Sequence, residues 1–199
     1  MITIIDYGAG NLFSVRNALN YLGCDNQISS DKKDIINADS LILPGVGAFG
    51  DAMDKLEASG LTDVIKQEAV KKPFLGICLG MQLLFEESYE FGRHKGLGLI
   101  PGTVKMMEPV GDLAIPQMGW NSLEFNNPCP LLKNVTEDSY VYFVHSYAAV
   151  CPDLYVSAYT DYGGKVTALV GSRNIYGAQF HPEKSGKIGL EILKNFAEL

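Results

Sequence analysis

Three residues have types and spacing that could do chemistry together: Cys78, His181 and Glu183. Cys78 is the centre of Gly76-Ile77-Cys78-Leu79-Gly80, inside the longer stretch KPFLGICLGMQLLF. Glycines two residues either side of a nucleophile have the form of a nucleophile elbow, here with cysteine in place of the more familiar serine. A strand enters, bends sharply on the nucleophile and leaves as a helix. The −2 and +2 positions then come close, so side chains there would clash, and the nucleophile's backbone is strained. A helix N-terminus beneath the sulfur favours negative charge and so a thiolate. The N–H of Leu79 points to where an oxyanion would form.

A thiolate needs a base to deprotonate it, and the base needs a group to orient it. The chain has three histidines. His94 lies in FGRHKG and reads as a solvated group in a charged loop. His145 lies in YFVHSY and reads as a polar group at a strand end. Only His181, in His181-Pro182-Glu183, brings an acidic partner at suitable spacing. Pro182 keeps His181 extended. On an extended segment His181 and Glu183 project to the same side. A second oxyanion donor needs backbone that can approach a ligand closely. Pro44-Gly45-Val46-Gly47, after the apolar run SLILP, offers it. Cysteine, histidine and glutamate in that order, with an elbow and a Gly-rich loop, point to acyl transfer through a thioester.

These residues must be positioned by a frame, and the first half of the chain supplies one. ITIID (2–6), SLILP (40–44) and PFLGI (73–77) read as buried strands. Between them lie helical patterns. One is capped by Asn11, with Leu12, Val15, Leu19 and Leu22 on its apolar face. One or two more run from Gly45 to Lys72 and break near Gly60. LGMQLLFEES (79–88) reads as the next helix. Strands alternating with helices imply a parallel sheet with its functional loops at the strands' carboxyl ends. In the second half, LGLI, TVKMM, AIPQMGWNSLEF, YVYFVHSY, LYVSAYT, KVTALVGS and IYGAQF are separated by Gly, Pro and Asn turns. They read as mostly antiparallel strands added to that sheet or beside it. SGKIGLEILKNFAEL is an amphipathic helix with Ile188, Ile192, Leu193 and Phe196 inward. The fold class expected is α/β, a mixed and mainly parallel open sheet flanked by helices.

Composition narrows the function classes. The 199 residues are 47% hydrophobic, which suits one globular domain over 1–199. A net charge of −7 argues against nucleic acid and anionic membrane surfaces as partners. No apolar run reaches a membrane span, and MITIIDYGAGN lacks the basic start of a signal peptide. The four cysteines show no paired spacing, so free thiols in a reducing cytoplasm are expected. The scattered histidines form no metal cluster, and no metal or cofactor is expected.

GICLGMQLLF with a later FHPE resembles the class I (triad) glutamine amidotransferases. Within them, IDYGAGNLFSV, LPGVGAF (43–49), QMGWN (117–121) and YFVHSY (142–147) resemble the glutaminase subunits of imidazole glycerol phosphate synthases, over essentially the whole chain. The resemblance implies a flavodoxin-like fold. It implies Cys78 as nucleophile, His181 as base and Glu183 as its orienting carboxylate. It implies an oxyanion held by Leu79 and the Gly45-Val46-Gly47 turn. L-Glutamine would be bound by Gln82 and the backbone of His145, Ser146 and Tyr147. The ammonia released would pass to a docked (β/α)₈ cyclase subunit, the two forming a heterodimer in histidine biosynthesis. Asn11, Trp120, Tyr142 and Lys184 match interface positions. From the residues alone, Trp120 sits in a turn and reads as a core aromatic, and Lys184 as a solvated residue. A paralogue serving another synthase shares these features. A thiol hydrolase or redox sensor leaves the HPE segment and Gln82 unexplained.

Overall fold

The computed structural model describes residues 1–108 and 111–199. The first half forms strands β1 (Ile2–Ile5), β2 (Asn26–Ser29), β3 (Ser40–Gly45) and β4 (Phe74–Cys78). Helices α1 (Leu12–Tyr21), α2 (Lys32–Asn37), α3 (Phe49–Ala58) and α4 (Thr62–Ala69) connect them, and the one-turn helix α5 (Leu79–Gln82) follows β4. Next come β5 (Glu87–Ser88), β6 (His94–Lys95), β7 (Thr103–Met106), β8 (Gln117–Ser122) and β9 (Glu124–Phe125). The chain ends with β10 (Tyr140–His145), β11 (Tyr147–Val150), β12 (Val156–Asp161), β13 (Lys165–Ser172), β14 (Ile175–Ala178) and α6 (Gly186–Ala197).

Among the described residues, the main sheet has eight strands in the order β2-β1-β3-β4-β14-β13-β12-β9. The pairs from β2 through β14 are parallel and the rest antiparallel. This is the mixed, mainly parallel α/β sheet expected. Its central strands β1, β3 and β4 are buried throughout and largely apolar because both faces are covered. Ile5, Leu41, Leu43 and Phe74 pack on one side with α3 and α4 residues such as Met53, Leu56 and Ile65. Ile4, Ile42, Leu75 and Ile77 pack on the other with Val15 and Leu19 of α1 and Ile192, Leu193 and Phe196 of α6. Two smaller sheets flank the main one, β10-β8 and β11-β7-β5-β6.

Several local expectations change. The helix read over 79–88 stops at Gln82. Leu83, Leu84 and Phe85 follow it and are fully buried. The chain turns there instead, and the N–H groups of Leu97, Leu99 and Gly98 take the carbonyls of Leu83, Leu84 and Phe85. LGLI is therefore a packed loop rather than a strand. The polar edge strand β2 and the helix α2 carry no apolar run and are not legible from pattern. Asn11 does precede α1, but its side chain makes no capping hydrogen bond. The helices before β4 break at Gly60, whose φ is +69°. His94 is not in a solvated loop: it lies in β6, with its ring against Gly50, where an added Cβ would come within 2.6 Å.

The parallel pairing of β14 with β4 is what assembles the site. Ala178 lies opposite Ile77. Cys78 follows Ile77 directly and His181 follows Ala178 by three residues, so both leave the sheet at its carboxyl edge.

Candidate active site

Cys78 has φ 55° and ψ −113°, a strained backbone for a residue with a Cβ. The glycines around it are forced by close approach. A Cβ on Gly76 would lie 2.5 Å from the carbonyl oxygen of Gly80, and one on Gly80 would lie 1.8 Å from that of Leu43. Gly45, opposite Cys78 at the end of β3, would meet the Gly80 nitrogen at 2.6 Å. The elbow thus presses against the neighbouring strand as well as against itself. Because α5 is a single turn, little helix dipole reaches the sulfur. The charge beside it comes from His181.

His181 is buried and extended, with φ −98° and ψ 97°. Its Nδ1 lies 2.8 Å from Glu183 Oε1. A carboxylate only accepts, so Nδ1 carries the proton and the rest of the ring is free to meet the hydrogen-bonded Cys78 thiol. Burial disfavours the charged ring, but contacts with Cys78 and Glu183 outweigh it and raise His181 to about 9. Pro182–Lys184 is a 3₁₀ turn rather than an extended segment. Glu183 reaches its partner by curling back, not by the strand alternation expected.

A cavity of about 440 Å³ opens over Cys78. Val46, Gly47, Leu79, Gln82, His145, Ser146, Tyr147, His181 and Lys184 line it with Cys78. Gly45 and Glu183 are not among its lining residues; Gly45 pairs with Cys78 and Glu183 with His181. Trp120, Tyr142 and Asn11 lie outside it. Trp120 is in strand β8, not a turn, and is 52% exposed, so it is no core residue. Its ring meets Tyr142 edge-on at 6.0 Å. Lys184 is exposed at the cavity.

Sequence reasoning missed the buried state of His145 and the roles of Gln179 and Glu90. His145 Nδ1 is 2.8 Å from the Tyr147 carbonyl, and Nε2 has no partner among the described residues. Burial, with the nearby His181 adding to it, pushes its pKa down to about 4. Glu90 lines the cavity and accepts the Phe49 N–H at 2.6 Å. Gln179 is fully buried beside Cys78. Gln179 stands two residues before His181 and is open to the same motif reading. Glu90 carries no such signal.

The sequence matches the family described as "Glutamine amidotransferase class-I" over residues 3–199. The chain belongs to the class I glutamine amidotransferase family. Within it, this amidotransferase is 52% identical over 200 residues to the "Imidazole glycerol phosphate synthase subunit HisH" of Listeria monocytogenes serotype 4b, covering 100% of this chain and 96% of the relative. It is 52% identical over 197 residues to the protein of the same name from Bacillus cereus, covering 98% and 93%. A solved glutamine amidotransferase shares the fold with TM-score 0.77 at 18% identity and full coverage of both chains. The solved PurLQS of Thermotoga maritima gives 0.73 at 19%, covering 99% and 97%. The amidotransferase fold is therefore shared well beyond sequence likeness. Among the described residues of this amidotransferase, no helix is long and apolar enough to cross a membrane.

Proposed function

We propose that this chain, one domain over residues 1–199, is the glutaminase subunit of an imidazole glycerol phosphate synthase. The observation that carries the chemistry is His181 held between Cys78 and Glu183 on the floor of one cavity. The relatives' printed name supports the assembly.

In this reading the carboxamide carbon of L-glutamine is attacked by the Cys78 sulfur, whose proton resides on His181. The oxygen takes the charge and is held by N–H groups of Leu79 and the Gly45-Val46-Gly47 turn. His181 passes its proton to the amide nitrogen, the C–N bond breaks, and ammonia leaves a γ-glutamyl thioester. Water, deprotonated by His181, attacks the thioester and releases glutamate and the sulfur. Gln82, Ser146 and Tyr147, with the His145 backbone, hold the amino-acid end.

Ammonia released into water would be protonated and lost as a nucleophile. A docked partner solves this, and we assign it as a (β/α)₈ cyclase subunit that makes imidazole glycerol phosphate and an aminoimidazole carboxamide ribonucleotide. Exposed Met118, Trp120 and Tyr140 on β8 and β10, with Lys184 at the cavity, support a docking face there. Asn11 and Tyr142 are assigned to the same interface. The free cysteines support a cytoplasmic setting.

The test is Cys78→Ala. Glutamine hydrolysis should disappear while the thermal unfolding midpoint stays within a few degrees. Hydrolysis at the unsubstituted rate would remove Cys78 from the mechanism.

A further inference from the structure

Gln179 makes and breaks no bond in that reaction, yet it lies fully buried between Gln82 and Cys78. Its orientation follows by elimination. The carbonyl oxygen of Tyr147 can only accept, and Gln82 Nε2 stands 2.9 Å from it. Gln82 therefore presents its NH₂ group at that end. The same nitrogen lies 2.9 Å from the side-chain oxygen of Gln179. Its second hydrogen goes there, so Gln179 turns its own NH₂ group the other way, where the Cys78 sulfur lies at 3.9 Å. Reversing Gln179 would set one NH₂ against another in a dry site. A backbone carbonyl that cannot be reversed thus fixes the direction of two side-chain amides. That carbonyl is itself held from a second side by His145 Nδ1–H at 2.8 Å.

We propose that Gln179 is a positioning residue for the nucleophile, its amide N–H donating to the Cys78 thiolate and holding the sulfur toward the cavity. The inference rests on Cys78 being the nucleophile. Gln179 gives up no proton. It acts on the charged sulfur before attack, and again when the thioester breaks and the sulfur departs with its electron pair. A donor to a charged acceptor in a water-poor site is strengthened on both counts. The 3.9 Å separation is long even for sulfur, and contacts of this kind tighten once substrate closes the site. The arrangement also redefines Gln82. Both of its N–H groups are engaged, which leaves only its oxygen to meet a substrate donor.

The experiment is alkylation of Cys78 by iodoacetamide at pH 7, followed by peptide mass spectrometry alongside glutaminase activity. Gln179→Glu keeps an oxygen for Gln82 and turns a carboxylate oxygen on the sulfur. Gln179→Met keeps the bulk and loses the N–H. Alkylation should slow about tenfold in Gln179→Glu and roughly threefold in Gln179→Met. The kcat should fall in the same order, with KM for glutamine held within about twofold. Unchanged alkylation in Gln179→Glu overturns the proposal, and so does a raised KM with unchanged kcat. If Gln179→Met fails to fold, Gln179→Glu decides alone. Alkylation of Cys78 in the unsubstituted chain should abolish glutaminase activity. Survival of that activity would instead overturn the nucleophile assignment beneath the inference.

Discussion

The backbone N–H of His181 donates to the carbonyl of Tyr142 at 2.9 Å. Ser185 closes a second link between them. Its Oγ accepts the Tyr142 N–H at 2.9 Å and donates to the His181 carbonyl at 2.7 Å. The proposed base and the exposed aromatic face around Trp120 therefore share one short piece of β10. Ser185→Ala leaves the Tyr142 N–H without its partner, at a cost of about 1–3 kcal/mol, while the His181 carbonyl keeps the Lys184 N–H. It should lower kcat roughly tenfold with KM unchanged, since a displaced base costs turnover rather than binding. Urea unfolding and steady-state kinetics check this. Full kcat beside the same loss of stability would make the bridge structural only.

Glu183→Gln should move the alkaline limit of glutaminase activity to lower pH. His181 sits near 9 because Cys78 and Glu183 overcome the effect of burial. Activity that needs its proton then falls as pH rises through about 9. Removing the carboxylate lets the proton leave earlier. The kcat should drop by roughly 10²–10⁴-fold, the scale for losing the orienting acid of a triad. Because the folded value lies above the ordinary 6.5, the pairing also stabilises the fold fully below pH 6.5 and is lost as pH rises through about 9. A pH–rate profile with an unmoved alkaline limb would contradict this.

The elbow was legible because steric demand leaves a mark: Gly76 and Gly80 stand where a Cβ would strike backbone. The His181–Glu183 pair was legible as a neighbouring acid and base, although its 3₁₀ geometry was not. The buried strands were legible as apolar runs, while β2 and α2 were not, because edge elements carry mixed residues. Trp120 misled because type alone favours burial, and only pairing in β8 shows which face it is on. Gln179 could be placed near the motif but not given a role, since its meaning lies in hydrogen bonds to Gln82 and Cys78 about a hundred residues away, and the burial of His145 comes from tertiary packing that its local sequence does not show.

His145→Asn should flatten the acid side of the stability curve. His145 is held near 4 against an ordinary 6.5, so its contribution is present above pH 6.5 and lost as pH falls through 4. By linkage that loss is about 2 kcal/mol between pH 7 and pH 4.5. Asparagine keeps an N–H for the Tyr147 carbonyl and has no proton to take up. Denaturant unfolding at the two pH values should show the difference narrowed in the variant. Parallel curves would contradict the assignment.

Trp120→Ala should weaken partner binding by roughly 2 kcal/mol, about thirtyfold in Kd, as expected of an aromatic interface anchor. The thermal midpoint of the isolated chain should barely move, because the ring is half exposed and meets Tyr142 edge-on. Calorimetric titration against the proposed cyclase subunit, with a melting curve of the chain alone, separates the two. A collapse of stability would return Trp120 to a packing role.

The central claim is that this glutaminase works for a cyclase, and glutamine turnover measured with and without that partner and its nucleotide ligand tests it most directly. Hydrolysis should rise when both are added. An unchanged rate in the presence of cyclase and nucleotide would contradict the claim.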